Sequence, residues 1–124
     1  MKVLQTEKAP AAIGPYSQAI EVNGFVFASG QIPIDPATGE FVEGGIEEQT
    51  RQALTNASQI MAEAGIDLSH VIKTTVYLAD MSDFAAMNKV YATFFKPPFP
   101  ARSAVAVKAL PKGALVEVEC IAVK

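Results

Sequence analysis

Gln18-Ala19-Ile20-Glu21-Val22-Asn23-Gly24-Phe25-Val26-Phe27-Ala28-Ser29 reads as two β-prone runs about an Asn-Gly pair. Asn and Gly tolerate the positive φ angles of a type I′ turn, whose twist matches that of the flanking strands, so the stretch predicts a β-hairpin. Upstream, Ala9-Pro10-Ala11-Ala12-Ile13-Gly14-Pro15-Tyr16 carries prolines and glycine at a density no regular element accepts. It reads as a stiff loop that delivers Tyr16 to a fixed place. Residues 2 to 6 are a short candidate first strand.

Downstream, a turn-rich stretch from Pro33 to Gly45 leads into a helix in which Ile46, Ala53, Leu54, Ala57, Ile60, Met61 and Ala64 share one stripe. Gly65 stands where a helix C′ residue belongs. Val71 to Leu78, rich in β-branched residues, reads as a strand. Asp80 to Ser82 can cap a second helix carrying Phe84, Met87, Val90, Tyr91 and Phe94, ended by Pro97 and Pro98. Ser103 to Val107 and Val116 to Val123, separated by the turn Leu110-Pro111-Lys112-Gly113-Ala114, read as a second hairpin. The whole is an α+β chain with a mixed sheet and two crossover helices, expected to form one domain over 1–124. Right-handed crossovers running the same way put both helices on one face and leave the other face bare.

Composition narrows the chemistry. Of 124 residues, 50% are hydrophobic and 19% charged, with a net charge of −3, one Cys, one His and no Trp. One Cys cannot form an internal disulfide, and one Cys plus one His far apart in sequence disfavour a metal centre. Lys and Arg are scattered singly, giving no basic stripe for a nucleic-acid backbone. Without an apolar leader or a run of about 18 apolar residues, no membrane partner is implied, and a cytoplasmic location is expected. Gly44-Gly45 matches no phosphate-binding loop. Any catalysis must rest on Arg, Glu, Tyr, Ser and backbone groups.

Among those, Arg102 stands at the entrance of a strand after a proline run, where a guanidinium can take a carboxylate bidentately; isolated arginines are also commonly solvated. In the last strand, alternation puts Glu117, Glu119, Ile121 and Val123 on one face and Val116, Val118, Cys120 and Ala122 on the core face. Glu119, the deeper glutamate, can orient or deprotonate a water or simply face solvent. Tyr16 offers a hydroxyl, Gly30 close backbone approach and Asn88 a polar group on the second helix, each with an ordinary packing or solvation role as the alternative. His70 lacks a ligand partner, and Cys120 reads as a buried small hydrophobe.

Four stretches taken together carry a resemblance: Ala9-Pro10-Ala11-Ala12-Ile13-Gly14-Pro15-Tyr16-Ser17-Gln18, Ser29-Gly30-Gln31-Ile32-Pro33, Pro100-Ala101-Arg102-Ser103 and Val116-Glu117-Val118-Glu119. In order and spacing the chain resembles the Rid, or YjgF-like, family of reactive-intermediate deaminases, its RidA branch in particular. The resemblance implies a chorismate-mutase-like α+β fold with a mixed six-stranded sheet and two helices on one face. It also implies a homotrimer with ligand sites in clefts between subunits, which would cover the bare face.

The implied activity is hydrolysis of 2-imino acids such as 2-iminobutanoate and 2-iminopropanoate to 2-oxo acids and ammonia, with no cofactor. Arg102 would clamp the substrate carboxylate, Glu119 would hold the attacking water, and Tyr16 would add a hydrogen bond. Gly30, Ser103 and Ala104 would line the site through their backbone, with Ser29 and Asn88 nearby. Many RidA-like chains have Cys where this one has Ala104, so a thiol at that position is not expected to be needed. Two rival expectations remain: a noncatalytic module that binds small carboxylates in the same cleft, and RNA cleavage, attributed to some members and disfavoured by the charge balance and lack of a His pair.

Overall fold

The computed structural model describes residues 1–124. Its strands are β1 (Lys2–Leu4), β2 (Ala19–Val22), β3 (Phe25–Gln31), β4 (Ile34–Asp35), β5 (Glu40–Phe41), β6 (Val71–Leu78), β7 (Ala101–Ala106) and β8 (Val116–Val123). Helix α1 spans Ile46–Glu63 and α2 Phe84–Tyr91. Six strands form one mixed sheet in the order β1-β2-β3-β8-β6-β7, while β4 and β5 pair in a small separate hairpin. No helix is long and apolar enough to cross a membrane.

The expected first hairpin is present, with Asn23 at φ 51° and Gly24 at φ 80°, both in the left-handed region that the type I′ turn demands. Helix α1 closes as expected on Gly65, whose N–H donates to the Ala62 carbonyl while that of Ile66 returns to Met61. Asp80 accepts from the Ser82 N–H, but it caps a 3-10 turn at Met81–Asp83 that feeds α2. Helix α2 stops at Tyr91, ahead of Phe94 and the prolines, and the chain continues through turns.

The second hairpin expected from the Pro-Gly turn does not form. Strand β7 pairs in parallel with β6, and β8 inserts between β3 and β6, antiparallel to both. The connection passes over the end of β6, tied there by Val107 N–H to the Leu78 carbonyl and Ala79 N–H to the Leu115 carbonyl. The pattern of side chains explains the choice. Strand β8 buries Val116, Val118, Cys120 and Ala122 beneath the helices and half-buries its other face, which suits a central strand. Strand β7 has no buried residue and follows Pro100, which suits an edge.

Both helices cover one face of the sheet. Leu54, Ile60 and Met61 of α1 and Met87 and Tyr91 of α2 join Val26, Val76, Leu78, Val116 and Val118 in a single core cluster. Helix α1 also buries polar residues that act as ties rather than packing. Asn56 Nδ2 donates to the Ile32 and Ile34 carbonyls at 3.1 and 2.9 Å, and Gln49 Oε1 accepts from the Leu115 N–H at 2.8 Å. These bonds fix the loops leaving β3 and entering β8, and Asn56 uses both ends of its amide, its Oδ1 accepting from Gln52 Nε2 at 2.8 Å.

The opposite face has no covering layer. The row Val3, Ile20, Phe27, Ile121, Lys73 runs across it, with Phe25 and Val105 on the same side. Phe25 and Phe27 stack with ring centroids 6.1 Å apart yet stay 39% and 43% exposed. Together they make an exposed apolar patch on the sheet, of the kind that contact surfaces carry.

Candidate functional site

Arg102 is placed by the register of the edge strand. It pairs opposite Thr74, which is buried beneath the helices, so Arg102 also projects to the helix side, under α2. Phe84, Asn88 and Tyr91 recur at helical spacing along α2 and receive it. The guanidinium carbon lies 4.7 Å from the Tyr91 ring centroid and 5.5 Å from that of Phe84, and Nη1 donates to Asn88 Oδ1 at 2.7 Å. The Tyr91 hydroxyl shares a 2.8 Å hydrogen bond with Thr74 Oγ1, and burial pushes its pKa up, so the ring is neutral. The ion pairs of the chain are Lys89–Glu47 and Lys124–Glu21, and no carboxylate pairs with Arg102. A cation braced on its faces and at one nitrogen, with no counter-charge, is prepared for an anionic ligand. It opens on a cleft of about 440 Å³ lined by Asn88, Tyr91, Ala92, Phe99, Pro100 and Arg102.

A second wall forms where β3 meets β8. The register shifts between Ala28 and Gln31, so Ser29 and Gly30 together stand opposite Glu119 in a β-bulge. Glu117 lies against Gly30: a Cβ there would come within 2.7 Å of the Glu117 Cδ. Tyr16, Gly30, Gln31, Lys112 and Glu117 line a cavity of about 290 Å³. Burial, followed by the charge of Glu119, raises the Glu117 pKa above the ordinary carboxylate value, which suits a group that holds and releases a proton nearer neutrality.

The loop carrying Tyr16 is tied from behind. Ser29 Oγ donates to the Ser17 carbonyl at 2.6 Å, the Ser29 N–H to the Gln18 carbonyl at 2.9 Å, and the buried Gln18 amide bonds Thr6 N–H and the Pro10 carbonyl, each at 2.7 Å. Tyr16 itself is 54% exposed.

Because Gly30 is not in a left-handed conformation, alanine is accepted there by the backbone and the conflict falls on the Glu117 carboxyl, a movable group. Gly30→Ala is therefore expected to melt close to the native protein in a thermal denaturation, and, if Glu117 carries a proton in a reaction at this wall, to lose about 10- to 100-fold in kcat/KM.

The expected site residues thus divide into groups. Arg102 and Asn88 are brought together, as are Tyr16, Gly30 and the Ser29 tie. Glu119 projects from the same face as Glu117 but lines neither cavity; its Oε1 accepts from the Tyr77 hydroxyl at 3.0 Å. Ser103 points to the open face, away from Arg102, where its hydroxyl accepts from Lys73 Nζ at 3.4 Å. Ala104 lies on the helix side, packed on the core. Cys120 is buried under the helices with its thiol pushed up to about 12. Within one chain, Arg102 and the Tyr16–Glu117 wall lie on opposite faces of the sheet and do not meet.

Nothing local in the sequence marks Glu117 as a lining group, Gln18 as the anchor of the Tyr16 loop or Tyr91 as a contact of Arg102. Alternation places Glu117 on the open face; what singles it out is the bulge at Ser29–Gly30. The largest cavity, about 520 Å³ between Asp67, Ser69 and the Phe94–Pro98 segment, contains none of these residues.

The endoribonuclease L-PSP family model matches residues 6–124. A RutC family protein of Pyrococcus horikoshii is 58% identical over 123 residues, 99% of this chain and 98% of its own. The 2-iminobutanoate/2-iminopropanoate deaminase of Mus musculus is 52% identical over 123 residues, 99% of this chain and 91% of its own. The crystal structure of E. coli TdcF with bound serine superposes with a TM-score of 0.95 at 42% identity, covering 100% of this chain and 99% of that one. With matches of this extent along its whole length, the chain belongs to the endoribonuclease L-PSP family, the Rid or YjgF-like proteins.

Proposed function

We propose that the protein hydrolyses 2-imino acids, with 2-iminobutanoate and 2-iminopropanoate as substrates, to the corresponding 2-oxo acids and ammonia. The observation that carries this reading is Arg102, a guanidinium held by Asn88, Tyr91 and Phe84 with no carboxylate of its own chain to neutralise it. A relative 52% identical is named for this activity, and another is crystallised with serine, an α-amino acid that presents the carboxylate such a cation would bind.

In the proposed reaction Arg102 binds the substrate carboxylate and fixes the adjacent C=N carbon. That carbon is already electrophilic, more so when the nitrogen is protonated, so positioning and proton transfer suffice. Water adds to it, forming a C–O bond while the C=N π pair moves to nitrogen. The proton lost by the water goes to Glu117 and then to the nitrogen. The carbinolamine hydroxyl then gives its proton to Glu117, which passes it to the nitrogen; the O–H pair becomes the C=O π bond of the 2-oxo acid, and the C–N bond breaks with its pair leaving on ammonia. Glu117 takes the role expected of Glu119, since it is Glu117 that shares a cavity with Tyr16 and Gly30, and its raised pKa favours the proton return.

The site is completed between subunits of a homotrimer, Arg102 coming from one chain and Tyr16, Gly30 and Glu117 from its neighbour. Three features support this. The two walls lie on opposite faces, the uncovered sheet carries Phe25 and Phe27, and exposed apolar groups flank each wall, Ile13 and Tyr16 on one and Phe99 on the other.

The reading is tested by generating the imine in situ with a threonine dehydratase and following its loss with and without the protein, alongside sizing in solution. Accelerated release of 2-oxobutanoate by a species three chains in size is expected. Binding of 2-oxobutanoate without acceleration would instead make the protein a noncatalytic carboxylate-binding module. A stable monomer would remove the shared site.

A further inference from the structure

We infer that Tyr91 is a positioning residue for Arg102: its ring, seated against Phe95 and tied to Thr74, fixes the plane of the guanidinium. The inference rests on Arg102 being the carboxylate anchor proposed above.

Arg102 projects from an edge strand with no neighbour on its outer side. A flexible side chain with a three-methylene stem ordinarily samples many rotamers in that position, and a ligand that needs one of them must meet the entropy of selecting it. Here the selection is made in advance. The guanidinium carbon lies over the Tyr91 ring at 4.7 Å, nearer than over Phe84 at 5.5 Å, within the range where a cation is drawn to an aromatic face. Asn88 takes one Nη1 hydrogen at 2.7 Å, which limits rotation within the plane.

Tyr91 cannot drift with its guest. Its own ring stacks on Phe95 at 4.5 Å between centroids, it is nearly buried, and its hydroxyl is joined at 2.8 Å to Thr74 Oγ1, a side chain with no exposure at all. Thr74 is also the strand partner of Arg102 in the β6–β7 ladder. The same residue therefore sets the height of Arg102 through the backbone and the tilt of its aromatic support through the side chain. The buried Thr74 and Tyr91 hydroxyls satisfy each other and leave no unpaired polar group between them, while the stack on Phe95 keeps the ring in place without the hydroxyl.

Two measurements on the intact protein test this. The first is the Nε–Hε resonance of Arg102 by NMR without ligand: the Tyr91 ring current is expected to displace it in the native protein and in Tyr91→Phe, and not in Tyr91→Leu. The second is the affinity for 2-oxobutanoate by calorimetry, expected to fall about five- to tenfold in Tyr91→Leu, with most of the loss recovered in Tyr91→Phe. An Arg102 resonance unchanged by Tyr91→Leu, or one that Tyr91→Phe fails to restore, overturns the inference. The resonance is read in ligand-free protein, so it decides the matter even if 2-oxobutanoate does not bind, an outcome that would count against the proposed function instead.

Discussion

Arg102→Ala is expected to reduce kcat/KM for 2-iminobutanoate by two to three orders of magnitude, equivalent to roughly 3 to 4 kcal/mol of lost charge-assisted binding. The loss should appear in both KM and kcat, since the same bond that holds the carboxylate also aims the imine carbon at the water. The fold should survive, because Arg102 makes no ion pair and its strand pairs only with β6. An unchanged rate in the dehydratase-coupled assay would falsify the clamp.

The other large effect separates two neighbouring carboxylates. Glu117→Gln is expected to lower kcat by about 10²- to 10⁴-fold, the range for loss of a general acid–base group, while Glu119→Gln changes it by less than about tenfold. A larger loss in Glu119→Gln would return the catalytic role to Glu119. Stability should move oppositely. Burial and the Glu119 charge raise the Glu117 pKa above the ordinary glutamate value, so the folded chain holds this proton more tightly than the unfolded chain. Its stabilising contribution is complete below that unfolded value and is lost as the pH rises through the folded one. Glu117→Gln removes a charge that folding disfavours, and its Tm at neutral pH should equal or exceed that of the native protein, with the difference closing toward about pH 4.

How much of this was legible depended on how local the deciding interaction was. The Asn23-Gly24 turn and the Gly65 helix end are settled by the φ angles of single residues, and the inward set of β8 by simple alternation. The order of β7 and β8 is not local. A Pro-Gly turn is compatible with a hairpin, and only the competition for a central place, won by the strand that is apolar on one face and half-buried on the other, separates them. The proposal of Glu117 over Glu119 likewise rests on another strand: the extra residue at Ser29–Gly30 brings backbone against Glu117, while the Tyr77 hydroxyl bonds Glu119. Arg102 was recognisable from its flanking motif, but its bracing by Phe84, Asn88 and Tyr91 required knowing which helix crosses the edge strand.

The placement of Arg102 and Glu117 on opposite faces of one sheet has a genetic meaning. If each working site borrows one wall from each of two chains, then a mutation in either wall disables a different half of the partnership. Two alleles, one carrying Arg102→Ala and the other Glu117→Gln, would each be null alone. Expressed together, they would assemble mixed trimers in which roughly one site in four unites the sound wall of each parent. A cell inheriting both lesions would then recover part of the activity that neither allele can provide, whereas two lesions in the same wall would never complement.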